Sequence, residues 1–337
     1  MPDRSTLATP TTRLGVGVAL ALALTLLALA PAGASAAAPD TLWDACPTGS
    51  GAGECILPGG VVTDEATGDV FVADLTNRRI DEFSIWGVFV KAWGWGVRSG
   101  ASELQTCTTQ TGCREGLEGG GDGQLDGLLG VAVDSEGDVY VTGWNTARVQ
   151  KFDPDGGPGG EAEFLLTFGG EVNKTKSEEP GSNEAERNLC TAASGDVCQA
   201  GVRGSGKGQF EVWPEVGNFI ALAPDDDIYV GDEDRIQRFD SEGHYIESIA
   251  LPGERVESLA IDRSGGVNDG DLYVVLCNLV SFCANHSTIA ATKPNVLRLA
   301  PSGPTASVEA TIAVPAPRAL AVDADGNVYV TDGAQIG

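Results

Sequence analysis

GQLDGLLGVAVDSEGDVYVTGWNTARVQKF, residues 123–152, contains three short apolar runs separated by turn residues. The run at 131–133 ends on Asp134 and is followed by Ser135-Glu136-Gly137-Asp138. The run at 139–142 carries Tyr140 at its second position, and a third run ends at Phe152. β-branched and aromatic residues between Gly/Asp/Asn turns predict short antiparallel strands. The same grammar returns in copies starting at Val61, Ile220, Leu259 and Leu320. The first strands end at Asp64, Asp134, Ala223, Asp262 and Asp323, and the second-strand aromatics are Phe71, Tyr140, Tyr229, Tyr273 and Tyr329. The gap between them is 6 residues in three copies, 7 in the first and 11 in the fourth. Third strands end at Phe83, Phe152 and Phe239, and VLRLA from Val296 fills that place in copy four. Outer strands follow at Phe89, Glu163, Tyr245 and Ser307, with polar residues such as Lys91 and Glu247 expected on the solvent side.

A lone four-stranded meander cannot bury both faces, whereas sheets fanned around an axis bury each against the next. The pattern therefore predicts an all-β protein, a β-propeller of four-stranded antiparallel blades. Expected blades lie near 61–94, 131–169, 220–251 and 259–314, with a partial one at 320–337.

Residues 123–152 and GQFEVWPEVGNFIALAPDDDIYVGDEDRIQRF, residues 208–239, resemble NHL repeats. That pattern has a G-x-G-Q-F lead, an A-V-D strand, a V-Y-V-A-D strand and an N-x-R-I/V-Q-x-F strand, and the match covers residues 41–337. The departures are Gly143, in place of the strand-end Asp of Asp74, Asp232 and Asp332, and the loss in copy four of the Arg at Arg79, Arg148 and Arg235. The resemblance implies a six-bladed, TolB-like ring. Four and a half blades are legible, so a truncated C-terminus is expected, with residues 41–43 as the closing strand. The recurring Arg is expected to form an inter-blade ion pair.

The chain has 337 residues, 21 Lys+Arg against 48 Asp+Glu, a net charge of −27, and 46 Gly. Such acidity excludes general nucleic-acid binding and docking on anionic lipid. Residues 1–36 read as a secretory signal peptide. Arg4 and Arg13 precede a 17-residue uncharged run at 14–30, and Ala34-Ser35-Ala36 provides a cleavage site. Residues 37–337 are then the mature propeller, secreted or cell-surface, with no membrane span. The eight cysteines form four close pairs, Cys46/Cys55, Cys107/Cys113, Cys190/Cys198 and Cys277/Cys283. In an exported chain they read as disulfides, each worth roughly 2–3 kcal/mol. Zinc is disfavoured, because no pair is C-x-x-C and there are only two His.

Antiparallel order places the two-to-three and blade-to-blade loops at one end of the axis and the one-to-two and three-to-four turns at the other. All cysteines are expected at the first end, with Trp144, Asn145, Trp213 and Glu215 as binding-face candidates. Segment 173–186 there reads as a mobile excursion. The predicted function is non-catalytic binding of a protein or glycan of the cell envelope or exterior through this disulfide-stapled face. The alternative is a lyase- or lactonase-type enzyme using axial carboxylates and a divalent cation. His244 and His286 fall at opposite ends and cannot share a metal or a proton. No catalytic residue, metal ligand or cofactor is assigned. Calcium is the one candidate ion, through Asp225-Asp226-Asp227 or Asp323, Asp325 and Asn327, but neither reaches a bidentate Glu and both read as hairpin turns. Asn173 and Asn285 begin glycosylation sequons.

Overall fold

The structure, a computed structural model, describes residues 46–211, 220–252, 254–278, 296–301, 306–312, 314 and 317–332. Its first sheet is β1 (Pro58–Thr63), β2 (Val70–Asp74), β3 (Arg79–Phe83), β4 (Phe89–Trp95) and β5 (Leu104–Cys107), hydrogen-bonded in that order. The second runs β6 (Leu128–Val133), β7 (Val139–Gly143), β8 (Arg148–Asp153), β9 (Glu163–Gly169) and β10 (Leu189–Thr191). The third holds β11 (Ile220–Leu222), β12 (Ile228–Asp232), β13 (Arg235–Phe239) and β14 (Tyr245–Ala250). The fourth holds β15 (Glu254–Ile261), β16 (Leu272–Asn278), β17 (Val296–Pro301) and β18 (Ala306–Ile312), and the last pairs β19 (Pro317–Val322) with β20 (Val328–Asp332). All these pairings are antiparallel.

The first strand of each sheet lies against that of the next: β1 on β6, β6 on β11, β11 on β15 and β15 on β19. Successive sheets therefore fan around a common axis, and the chain is a β-propeller. Its core lies between sheets. Trp93 of β4 is fully buried, with its ring 5.9 Å from Phe71 and 6.4 Å from Phe152 of the second sheet. Between the second and third sheets, Phe168, Phe210 and Phe239 form an aromatic knot, the Phe168–Phe239 rings being 4.6 Å apart. Edge and tilted contacts at these distances suit aromatic quadrupoles and add to the burial gain.

Where a first strand ends on Asp, that Asp organises the hairpin. Asp134 accepts from the Glu136 and Asp138 amides and from the Tyr140 hydroxyl. Asp323 repeats this with the Asp325 and Asn327 amides and Tyr329. Tyr140 and Tyr329 of the second strands thus close their turns with their hydroxyls; in copy one Phe71 has packing alone.

The recurring arginines do not make the expected inter-blade ion pairs. Arg148, fully buried, donates to the carbonyls of Gly120, Gly121, Gln124 and Gln199. Arg79 does the same to Ser50, Gly51 and Glu54, and Arg235 to Gly204, Ser205 and Gln209. A guanidinium fork suits several carbonyls at once. It pins the Gly-rich lead-in of its own repeat, so the acceptors are backbone groups within that repeat and the carboxylates beside Arg79 and Arg235 belong to their own sheets. Two residues on, Gln150 and Gln237 finish the clamp. Each donates to the carbonyl of Gln124 or Gln209 and accepts from the Gly123 or Gly208 amide.

Lys91 also departs from expectation. It is 6% exposed and donates to the Pro154 and Gly160 carbonyls and to Asp155 of the second sheet. Glu247 is half-buried and accepts from Arg238. In a fan of sheets, one face of even the outermost strand is covered by its neighbour.

Candidate functional site

The first strands of all five sheets surround an axial cavity of about 810 Å³, walled by side chains such as Val61, Val131, Ile220, Leu259 and Leu320. Asp64, Glu65, Asp134, Ser135, Arg263 and Asp323 line it where the first strands end. Three of those carboxylates serve their own hairpins: Asp134 and Asp323 as above, and Asp64 through the Ala66 amide and the Thr67 hydroxyl. Arg263 crosses from the fourth sheet to the Val133 carbonyl of the second at 3.3 Å and lies 3.6 Å from Asp226. Asp226 in turn accepts from the Ser135 amide at 3.0 Å. Among the described residues, no set of three His, Cys or carboxylate groups converges there at metal-binding spacing. Asp225 accepts from the Asp227 amide, so both acidic stretches considered for calcium are occupied as turn residues.

The only His among the described residues, His244, sits in the turn between β13 and β14. Its Nδ1 lies 3.1 Å from Asp240 Oδ2 and 3.8 Å from Glu242 Oε2, all three being on the surface. His286 lies outside the described residues.

Disulfides join Cys46–Cys55, Cys107–Cys113 and Cys190–Cys198, with Cα–Cα distances of 5.1, 5.3 and 5.7 Å. Cys283 lies outside the described residues. The stapled insertions do not stand up as loops. Each of the two blade-to-blade insertions supplies a fifth strand on the outer edge of its sheet: β5 pairs with β4, and β10 with β9. Cys107 and Cys190 are fully buried, and Cys198 packs with Leu104, Leu125 and Val172 between the first two sheets. The Cys107–Cys113 and Cys190–Cys198 staples therefore sit with these fifth strands at the outer edges of their sheets, whereas Cys55 packs with Val72 and Phe83 within the first.

Segment 173–186 is ordered as two short helices, α1 (Lys174–Glu178) and α2 (Glu184–Arg187). Asn173 caps α1 through the Lys176 amide, and Asn183 forms a capping box with Glu186. Asn173 is buried, with its amide donating to the Leu189 carbonyl and Asp196, so this sequon is closed to modification in the folded protein. Asn285 lies outside the described residues.

The two-to-three loops do gather a polar and aromatic cluster. Trp144, in the β7–β8 loop, is half-buried against the core between the second and third sheets. Its indole edge sits over Gly127 (φ +66), where a Cβ would stand 2.6 Å from the ring. Arg203 lies 5.9 Å from the Trp144 ring centroid and donates to the Trp144 carbonyl at 2.6 Å. Exposed Asn145 donates to Asp126 at 3.0 Å. Arg78 lies 3.9 Å from Asp126 and pairs with Glu115 and Glu118. Trp144 and Asn145 thus meet in one place. Trp213 and Glu215 lie outside the described residues.

Sequence reasoning missed Arg78, Asp126 and Arg203 at this cluster. It also missed Ser84-Ile85-Trp86-Gly87-Val88 at the opposite end, where Trp86 is 80% exposed. The signal was available: the equivalent turns at 153–162 and 240–244 are polar, so an apolar turn is out of register with its copies.

No protein-family model and no curated protein matches the chain. Among solved structures it is similar to a catalytically inactive virginiamycin B lyase from Staphylococcus aureus with quinupristin, at 13% identity and TM-score 0.38, covering 82% of this chain and 77% of that one. A gluconolactonase from Xanthomonas campestris gives 14% identity and TM-score 0.42, covering 83% and 71%. A nidogen/laminin complex gives 15% identity and TM-score 0.40, covering 82% and 72%. These are propeller proteins, both enzymes and extracellular binding domains. Among the described residues no helix is long and apolar enough to cross a membrane.

Proposed function

We propose that the chain is an exported, NHL-type propeller of a six-bladed, TolB-like ring, which binds a protein or glycan of the cell envelope or exterior without catalysis. The docking surface is the end of the axis bearing Trp144, Asn145, Asp126 and Arg203. The observation that carries this reading is the Trp144 cluster itself, an aromatic held over Gly127 and flanked by charged and amide side chains on a rigid scaffold. Aromatic and Arg side chains in such settings dominate recognition energy. The apolar axial wall, and carboxylates already bonded into hairpins, also favour binding over axial chemistry. Export rests on residues 1–36 and on the disulfides, which persist in oxidising compartments.

The test is capture of envelope proteins and of an array of envelope glycans by the purified chain, compared with Trp144→Ala/Arg203→Ala. A partner whose affinity falls at least about tenfold, about 1.4 kcal/mol, supports the surface. Equal capture by both forms, with unchanged β-sheet circular dichroism, rejects it.

A further inference from the structure

Position 81 breaks the repeat. The clamp residue two places after the recurring Arg is Gln150 in the second copy and Gln237 in the third, but Asp81 in the first. Gln both donates to and accepts from the lead-in; an ionised Asp cannot donate. Asp81 is fully buried, Arg79 Nε reaches its Oδ2 at 3.1 Å, and its Oδ1 has no hydrogen-bond partner. A second buried carboxylate, Asp74, lies within 4.8 Å. Burial raises Asp74 as well, but it accepts from the Ile56 and Asn77 amides and from the Asn77 side chain, and these bonds, with Arg79, favour its ionised form. One guanidinium thus faces two buried carboxylates, and an uncompensated charge in that setting is expensive.

Among the described residues, no other side-chain cation contacts Asp81. From the lead-in, the Glu54 carboxylate turns back to the Gly51 amide. From the following insertion, Arg114 presents its carbonyl to Arg79 while its guanidinium donates to Ser99. The cross-strand partners of Asp81 are Val72 and Ala92.

We propose that Asp81 binds a proton and by doing so locks the loop closed by Cys46–Cys55. The protonated carboxyl satisfies its bare oxygen by donating to Asp74. Arg79, balanced by Asp74 alone, then stays on the Ser50, Gly51 and Glu54 carbonyls. Ionisation of Asp81 leaves a buried negative charge that is relieved by drawing in water or pulling Arg79 off those carbonyls, and the loop loosens. In agreement, burial first and the neighbouring Asp74 charge, against the pull of Arg79, raise Asp81 to about 7.

The closed loop holds the proton and the open loop releases it, so opening becomes easier as pH rises from the ordinary carboxylate range to about 7, by at most about tenfold per pH unit, and levels off above. Hydrogen exchange at the Cys55 and Glu54 amides, which bond to the Pro47 and Gly51 carbonyls, reads this opening after correction for intrinsic rates. Wild type should lose protection between pH 5 and pH 7 by more than about tenfold. Asp81→Gln, which installs the side chain used by the other copies, and Asp81→Asn should show a flat profile. The Gly112 amide in the Cys107–Cys113 loop serves as an internal control. A flat wild-type profile, or an equal slope in both variants, overturns the proposal.

Discussion

Replacing Arg148 by Ala tests whether the arginine clamps hold the lead-in segments or merely fill space. The deletion removes donors from four carbonyls; Gln124 keeps the Gln150 amide, so those of Gly120, Gly121 and Gln199 are left without their charged partner. A buried acceptor left unsatisfied costs about 1–3 kcal/mol. Part of that sum is offset, because the guanidinium no longer has to be desolvated; burial drives its pKa down to about 9. The net loss should be about 3 kcal/mol, the size seen when one member of a buried charged contact is removed. In a domain of this size that lowers Tm by about 5 °C. Urea denaturation followed by Trp fluorescence measures the difference. Arg148→Lys should recover less than half of it, since an ammonium cannot fork across three carbonyls. A loss below about 1 kcal/mol for the Ala variant, or full recovery by Lys, would refute the clamp.

Trp93→Ala empties the interface between the first two sheets and should cost about 3–5 kcal/mol by the same denaturation assay. Gly127→Ala puts a Cβ into the Trp144 indole at a positive φ; we expect a loss of about 1–3 kcal/mol together with a red shift of Trp emission as the ring is displaced outward. Glu82 is raised to about 7, chiefly by burial. Its folded value exceeds its unfolded one, so the stability it contributes is complete below the ordinary Glu range and is lost as pH climbs towards 7. Glu82→Gln should flatten that part of the Tm–pH curve and leave the part due to Asp81. Expression in a glycosylating host should leave Asn173 unmodified by mass spectrometry, because its amide is buried in the α1 cap.

The architecture was legible because its signal is repeated. One apolar run ending on Asp, a short turn and an aromatic second position recur in register, and each copy supports the others. What remained hidden depends on neighbours that no single copy reveals. Lys91 looks like a solvent-facing residue until Asp155 and the Gly160 carbonyl arrive from the next sheet. The Arg series looks like a set of ion pairs until the Gly-rich lead-in folds back and offers carbonyls. The insertions read as projecting loops because their strands are short: Leu189–Thr191 has three residues, too few to show alternation. At the Trp144 cluster, the indole stood out by type and position. Arg203, at the end of an unpatterned insertion, carried no periodicity that could bring it to the indole.

Because Arg148 and Arg235 grip the stretch that enters their own unit, each copy of the motif travels with its own fastening. A tandem duplication would deliver the bolt and its socket together. A ring assembled this way can gain whole sectors without retuning those on either side, while single-residue drift inside a lead-in meets resistance from the guanidinium that reads its backbone.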